Sequence, residues 1–174
     1  MKTKKKLYDY WNNRAINNNK AISGSNDQLL HEFETKYLFS LINKRKSGYV
    51  LDVGCGNGIF LKSFSKKFKY KKITGFDFSK NMILECKNMK IKNSDFFELD
   101  INKINSIKFE HKFNYIISKR SIINLRSTNQ QLKAIENISK LLKKGGKYLA
   151  CESSSDALKN INEFRKFNRL TEIK

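Results

Sequence analysis

Residues 50–58 read VLDVGCGNG, a short apolar strand that runs directly into glycine at three alternate positions, and no other stretch constrains the chain as strongly. Val50, Leu51 and Val53 favour a buried strand. Gly54, Gly56 and Gly58 let the backbone turn sharply and approach a ligand with no Cβ in the way. Downstream, Ile59, Phe60, Leu61, Phe64 and Phe68 recur at helical spacing, so the turn opens a helix whose first amides lack intrahelical partners. A nucleotide-like ligand fits such a helix N-terminus.

Spacing narrows the choice of nucleotide. The dinucleotide fingerprint Gly-x-Gly-x-x-Gly would need glycine at Ile59, which disfavours a nicotinamide dehydrogenase. The pattern is instead Asp-x-Gly-x-Gly-x-Gly. With Asp52 two residues before the first glycine, it resembles motif I of the class I S-adenosylmethionine-dependent methyltransferases. The next strand-like run, 73–78, carries Asp77 at about the ~20-residue distance at which doubly wound folds place a ribose-binding carboxylate. The run GFDFSKNMI is similar to the family's second cofactor motif, and Leu99-Asp100-Ile101 to its third. The resemblance implies S-adenosylmethionine as cofactor and S-adenosylhomocysteine as product. It also implies site roles. Asp52 steadies the loop and the methionine end, and Gly54, Cys55, Gly56 and Gly58 admit the cofactor. Asp77 takes both ribose hydroxyls, Phe78 and Met82 flank the adenine, Asp100 and the amide of Ile101 hold its edge, and the backbone of Ser118 meets the amino group. Plainer roles stand beside these: a tight turn for the glycines, a helix cap for Asp77 and a surface turn for Asp100.

Along the chain, helical and strand-like patterns alternate, which predicts an α/β fold. The architecture expected is a doubly wound, Rossmann-like, mostly parallel sheet with helices on both faces. Leu29, Leu30, Phe33, Tyr37, Leu38, Leu41 and Ile42 form an apolar helical stripe after candidate caps at 25–27. Ser79 can cap the helix of Met82, Ile83 and Cys86. A fourth strand includes Tyr115, Ile116 and Ile117. Ser127 or Thr128, with Gln130 or Gln131, makes a capping box for a helix through Leu132, Ile135, Ile138 and Leu142. Gly145 and Gly146 are expected to end that helix, and a fifth strand follows over 148–151. Only 22 residues then remain after Glu152, reading as one helix with Leu158, Ile161 and Phe164. The expectation is five strands of the family's usual seven, in one domain over 1–174: an N-terminal helical cap at 1–46, a cofactor-binding core at 47–152 and a C-terminal helix at 153–174. The uncovered edge of the fifth strand would favour a homo-oligomer.

Composition bears mainly on partners. The formal net charge is +20, from 36 Lys and Arg against 16 Asp and Glu. Such a surface attracts anions at long range, but 30 of those cations are Lys, scattered rather than set in one aromatic-laced stripe, and Arg is the usual reader of phosphates and bases. A solvated surface shaped by composition is the favoured reading, and nucleic acid is not. No apolar run approaches the ~20 residues of a membrane span, so no membrane partner is expected. Three cysteines without C-x-x-C pairing suggest neither a metal site nor a disulfide framework, and point to a reducing cytoplasm.

Acceptor-side residues carry weaker signals. Tyr8, Trp11 and Arg14 resemble the segment that closes over the cofactor in relatives, although Tyr8 and Trp11 would equally pack a helix onto the domain. Arg120, Asn124 and Glu152, just beyond the fourth and fifth strands, suit a polar substrate; a surface ion pair is the other reading for Arg120 and Glu152. The segment SKRSIINL, with the following Leu-Leu-Lys-x-Gly-Gly, resembles bacterial small-molecule methyltransferases, with Lys144 where proline is usual. Arg120 and Glu152 are the catalytic candidates, Glu152 as a base for a hydroxyl acceptor; His31 and His111 read as surface residues. The function expected is methyl transfer to an N or O atom of a small polar acceptor, such as a sugar or amino metabolite. An RNA methyltransferase and a cofactor-binding module without turnover are the alternatives.

Overall fold

The computed structural model describes residues 4–17, 27–43 and 47–173. Helix α1 (Lys4–Asn17) and helix α2 (Gln28–Ser40) precede strand β1 (Tyr49–Val53). There follow α3 (Ile59–Lys67), β2 (Lys72–Asp77), α4 (Lys80–Asn88) and β3 (Ser94–Glu98). A 3₁₀ turn (Ile101–Ser106) leads to β4 (Phe113–Lys119), and a second (Ile122–Asn124) to α5 (Thr128–Ser139), β5 (Leu142–Cys151) and α6 (Ser155–Phe167). Among the described residues no helix is long and apolar enough to cross a membrane.

The five strands form one sheet in the order β3-β2-β1-β4-β5, and every pair is parallel. Parallel strands are covered on both faces, so the central ones are mostly apolar and buried. Leu51, Ile73, Ile116 and Ile117 have no exposure at all. Phe39, Phe60, Phe64 and Phe68 from α2, α3 and the turn after it pack together in one cluster. Ile104 and Ile138, from the first 3₁₀ turn and α5, pack in the other with Leu51, Phe76 and Ile116. The chain runs outward from β1 through β2 to β3, then returns to place β4 on the opposite side of β1. The crevice beyond the carboxyl ends of β1 and β4 is therefore the topological switch point, where open sheets of this kind bind ligands.

Local chemistry accounts for the helix starts. Asp27, Ser79, Ser127 and Ser154 each accept a hydrogen bond from the amide three residues on, caps worth about 1 kcal/mol apiece. At α5 the capping residue is Ser127, and Gln130 reaches back to the Arg126 amide at 3.0 Å. Ser25, a candidate cap in the sequence, lies outside the described residues. The apolar stripe is divided: Leu38 and Ile42 are buried, with Phe39 beside them, whereas Leu29, Leu30, Phe33, Tyr37 and Leu41 stand exposed.

One boundary differs from the sequence expectation. Gly145 and Gly146 do not end α5, which stops at Ser139 with Lys140 as its C-cap. They lie inside β5, which begins at Leu142 instead of 148. Phe113 pairs with Leu142 and Tyr115 with Lys147, so 143–146 bulge out of the ladder. A Cβ on Gly146 would stand 2.8 Å from the Phe113 carbonyl, which explains why the bulge closes on glycine.

Candidate active site

A cleft of about 330 Å³ opens at the switch point. Its floor is the turn after β1. The amides of Gly54 and Cys55 both donate to the Phe76 carbonyl, at 2.8 and 2.9 Å, which ties the turn to the end of β2. Gly54 has φ +74°, and a Cβ there would fall 2.2 Å from Ser121 Oγ, so both conformation and close approach require glycine. Gly56 also has positive φ, but a Cβ built on it would meet nothing within 4 Å. Its bare face looks onto open cleft, a cradle into which a ligand can settle against backbone.

Asp77, at the end of β2, faces this cradle. Its Oδ2 accepts from the Gly56 amide at 3.0 Å and its Oδ1 from the Ser79 amide at 2.9 Å. Burial pushes the carboxyl up to about 6, against the lowering effect of those amide bonds. The Phe78 amide also bonds the carboxylate, whose two oxygens offer about four acceptor sites in all, and Asp77 lines the cleft. A buried carboxylate with acceptor capacity left and an open cradle beside it fits a ligand bearing paired hydroxyls. Asp52 lies deeper, outside the cleft lining; burial pushes it up to about 7, with Lys119 lowering and Asp77 raising it.

Helix α1 closes one side. Asn12 accepts from Ser79 Oγ at 2.7 Å and from the Asn81 amide at 3.1 Å, docking α1 on the start of α4. Leu7 and Trp11 then line the cleft. Trp11 Nε1 is shielded from solvent and has no hydrogen-bond partner among the described residues. Tyr8 and Arg14 do not line it: Tyr8 packs edge-on against Phe78 at 6.1 Å, and Arg14 lies over the Tyr10 and Trp11 rings.

The cleft thus brings together Trp11, Gly54, Gly56, Asp77, Phe78, Met82, Asp100, Ile101, Arg120 and Asn124 from the sequence candidates, and leaves Cys55, Gly58, Ser118 and Glu152 outside its lining. Asp100 accepts from the amide and side chain of Asn102, capping the first 3₁₀ turn. Gly58 opens α3, and Cys55 Sγ lies buried 3.6 Å from Cys86 Sγ. Ser118 Oγ bonds Tyr148 and Glu152. Glu152 also accepts from the amides of Ser121, Ile122 and Ile123, so its carboxylate anchors the second 3₁₀ turn behind the cleft. Arg120 does not pair with Glu152; it pairs with Glu34 of α2 at 2.7 Å.

Lys119, Ser121, Arg126 and Gln130 also line the cleft, and sequence reasoning did not select them. Lys119 stood unread inside the SKRS run, and Gln130 was assigned only to a cap. His31 is half-buried with Nδ1 2.8 Å from Lys119 Nζ, and burial and Lys119 push its pKa down, so it is not the surface residue expected. His111 is exposed and stacks on Tyr49 at 4.1 Å.

The methyltransferase domain family matches residues 44–172. Among curated proteins, demethylmenaquinone methyltransferase of Staphylococcus epidermidis is 28% identical over 130 residues, covering 74% of this chain and 52% of that protein. A chloroplastic, uncharacterised methyltransferase of Arabidopsis thaliana is 37% identical over 57 residues, 33% of this chain and 16% of that one. The chain therefore spans about half the length, or less, of these relatives. Among solved structures, the N-methyltransferase NodS of Bradyrhizobium japonicum in complex with S-adenosylhomocysteine superimposes with TM-score 0.69 at 20% identity, covering 82% of this chain and 71% of that one. A phosphoethanolamine N-methyltransferase of Haemonchus contortus, in complex with phosphoethanolamine and S-adenosylhomocysteine, gives TM-score 0.72 at 16% identity over 90% of this chain and 34% of that one. At those identities the likeness is one of fold. On the family match and the parallel five-stranded architecture together, the chain belongs to the methyltransferase domain family, in its class I, Rossmann-like form.

Proposed function

We propose that the cleft binds S-adenosylmethionine and that the chain transfers its methyl group to an N or O atom of a small polar acceptor. The observation that carries the reading is Asp77, buried at the end of β2 beside the open face of Gly56. In this reading Asp77 accepts from the ribose hydroxyls, the 54–58 turn receives the methionine end, and Phe78, Met82, Asp100 and Ile101 enclose the adenine. Bound S-adenosylmethionine supplies an electrophilic methyl group. The chain's own contribution is to bring an acceptor into line with that methyl and exclude water, the task of α1 with Leu7 and Trp11 on one side and Arg120 and Asn124 on the other. Glu152, held by four donors, acts as an anchor rather than as a base. An amine held unprotonated, which needs no base, suits the site better than a hydroxyl.

Calorimetry with S-adenosylhomocysteine, S-adenosylmethionine and NAD tests the cofactor. Binding of the two sulfur nucleotides but not NAD is expected; a folded protein that binds neither sulfur nucleotide refutes the assignment. The pH dependence carries a definite sign. Asp77 titrates at about 6, above the ordinary 3.8, and only its ionised form accepts from two hydroxyls. Affinity for S-adenosylhomocysteine should hold above pH 7 and fall about tenfold per unit below 6. A flat profile from pH 7.5 to 5 would separate Asp77 from the ribose.

A further inference from the structure

At the carboxyl end of β4 two cations stand side by side on the cleft wall, Lys119 and Arg120. Both are drawn to one carboxylate. Glu34 accepts from Arg120 Nε and Nη2 at 3.0 and 2.7 Å and lies 3.5 Å from Lys119 Nζ, and all three side chains are at most a quarter exposed. The other close partners of Lys119, His31 at 2.8 Å and Thr35 at 3.5 Å, are not anionic; burial and Lys119 itself hold His31 toward its neutral form. Asp52, the other carboxylate that acts on Lys119, is only partly ionised at neutral pH because burial raises it to about 7. Positive charge therefore exceeds negative at this wall. Burial and the neighbouring Arg120 push the Lys119 ammonium below its usual value, despite Glu34.

Over the lining as a whole, cations outnumber carboxylates. Arg126 and Lys103 join Lys119 and Arg120, against Asp77 and Asp100. Both acidic side chains lie where the proposed cofactor sits, and Asp100 is already used by Asn102. The backbone at Arg120 is also unusual: φ is +54°, a left-handed conformation that a non-glycine residue adopts only when held. It is held by Arg120 N donating to the Cys151 carbonyl at 2.8 Å and by Asn124 Nδ2 donating to the Arg120 carbonyl at 2.7 Å.

We infer that Lys119 and Arg120 form an anion-receiving wall in the cleft, and that the acceptor carries a carboxylate or phosphate group that docks against it. The inference rests on the methyl-transfer reading above and narrows its substrate class. Bound S-adenosylmethionine, with a sulfonium and an ammonium against one carboxylate, adds net positive charge to a cleft that is already basic, and an acidic acceptor balances it. Arg supplies a planar fork and Lys a point charge for such oxyanions, and because Glu34 already engages Arg120 Nε and Nη2, the incoming group docks in competition with it. The net charge of +20 draws an acceptor of that sign toward the molecule.

The same wall could instead face the carboxylate of the cofactor's own amino-acid end, and the experiment separates the two. Inorganic phosphate is titrated onto protein saturated with S-adenosylhomocysteine, for wild type, Lys119→Met, Lys119→Arg and Glu34→Gln. S-Adenosylhomocysteine and methylthioadenosine, which lacks the carboxylate, are titrated in parallel. The inference expects phosphate to bind wild type in a salt-sensitive way, to weaken at least tenfold in Lys119→Met, to recover in Lys119→Arg and to tighten in Glu34→Gln. Absence of phosphate binding to wild type overturns it. So does an effect of Lys119→Met confined to S-adenosylhomocysteine and absent for methylthioadenosine, which gives the wall to the cofactor. Failure of both nucleosides to bind wild type strikes the cofactor reading alone, because phosphate is then titrated onto the free protein with the same variants. Should Lys119→Met fail to fold, the rise in Glu34→Gln decides.

Discussion

Replacing Asp77 by alanine is expected to weaken binding of S-adenosylhomocysteine by roughly 10- to 150-fold. The figure follows from about 1.5–3 kcal/mol for hydrogen bonds to a charged acceptor, at about 1.4 kcal/mol per tenfold. The side chain also accepts from the Gly56 and Ser79 amides, so alanine loosens the cradle as well as removing the ribose acceptor. Asp77→Asn separates the two effects, because its carbonyl can keep one amide bond while the charge is gone. Calorimetry on both variants is the check, and unchanged affinity in both would remove Asp77 from the site.

The largest loss of stability is expected from Phe64→Ala. Phe64 is 1% exposed and sits among Phe39, Phe68 and Tyr70, with ring centroids 6.2, 4.9 and 6.3 Å away. Truncating such a ring leaves a cavity that close-packed neighbours fill only in part, at about 3–5 kcal/mol. In a chain of this length each kcal/mol moves Tm by about 2–4 °C, so a fall of roughly 6–20 °C is expected in a thermal melt. Phe64 does not line the cleft. Well below the new Tm, affinity for S-adenosylhomocysteine should therefore stay within about threefold of wild type, the reverse of the Asp77 result; a melt within about 2 °C of wild type would mean that the ring packs less tightly than described.

What the chain reveals on reading depends on how far apart in sequence the interacting groups lie. The strand, glycine turn and helix over 49–67 are set by neighbours, and so is the Asp77–Ser79–Met82 sequence of strand end, cap and helix; both are legible directly. The end of α5 is not, because Gly145 and Gly146 carry the usual signature of a helix stop. Only the pairing of Leu142 with Phe113, across the sheet, shows that they form a bulge. Glu152 is a candidate base or ion-pair partner by its position after a strand, and the amides that hold it lie about 30 residues earlier, out of reach of any local pattern. The Lys119–Arg120–Glu34–His31 group spans more than 80 residues, and no local pattern announces it. Likewise the α2 stripe has clear helical periodicity, but periodicity does not tell which half of it a neighbour covers.

The docking of α1 also gives the molecule an optical property. Trp11 is the chain's one tryptophan, and it lies in the cleft wall, not in the phenylalanine core. Its indole is in contact with the space a ligand fills and has the Arg14 guanidinium 5.9 Å from its ring. Intrinsic emission thus follows the seating of α1 and the filling of the cleft, whereas far-ultraviolet dichroism follows the sheet and helices. The two signals watch separate parts of one chain, and a difference between their transitions would measure how tightly the helix that closes the cleft is bound to the sheet beneath it.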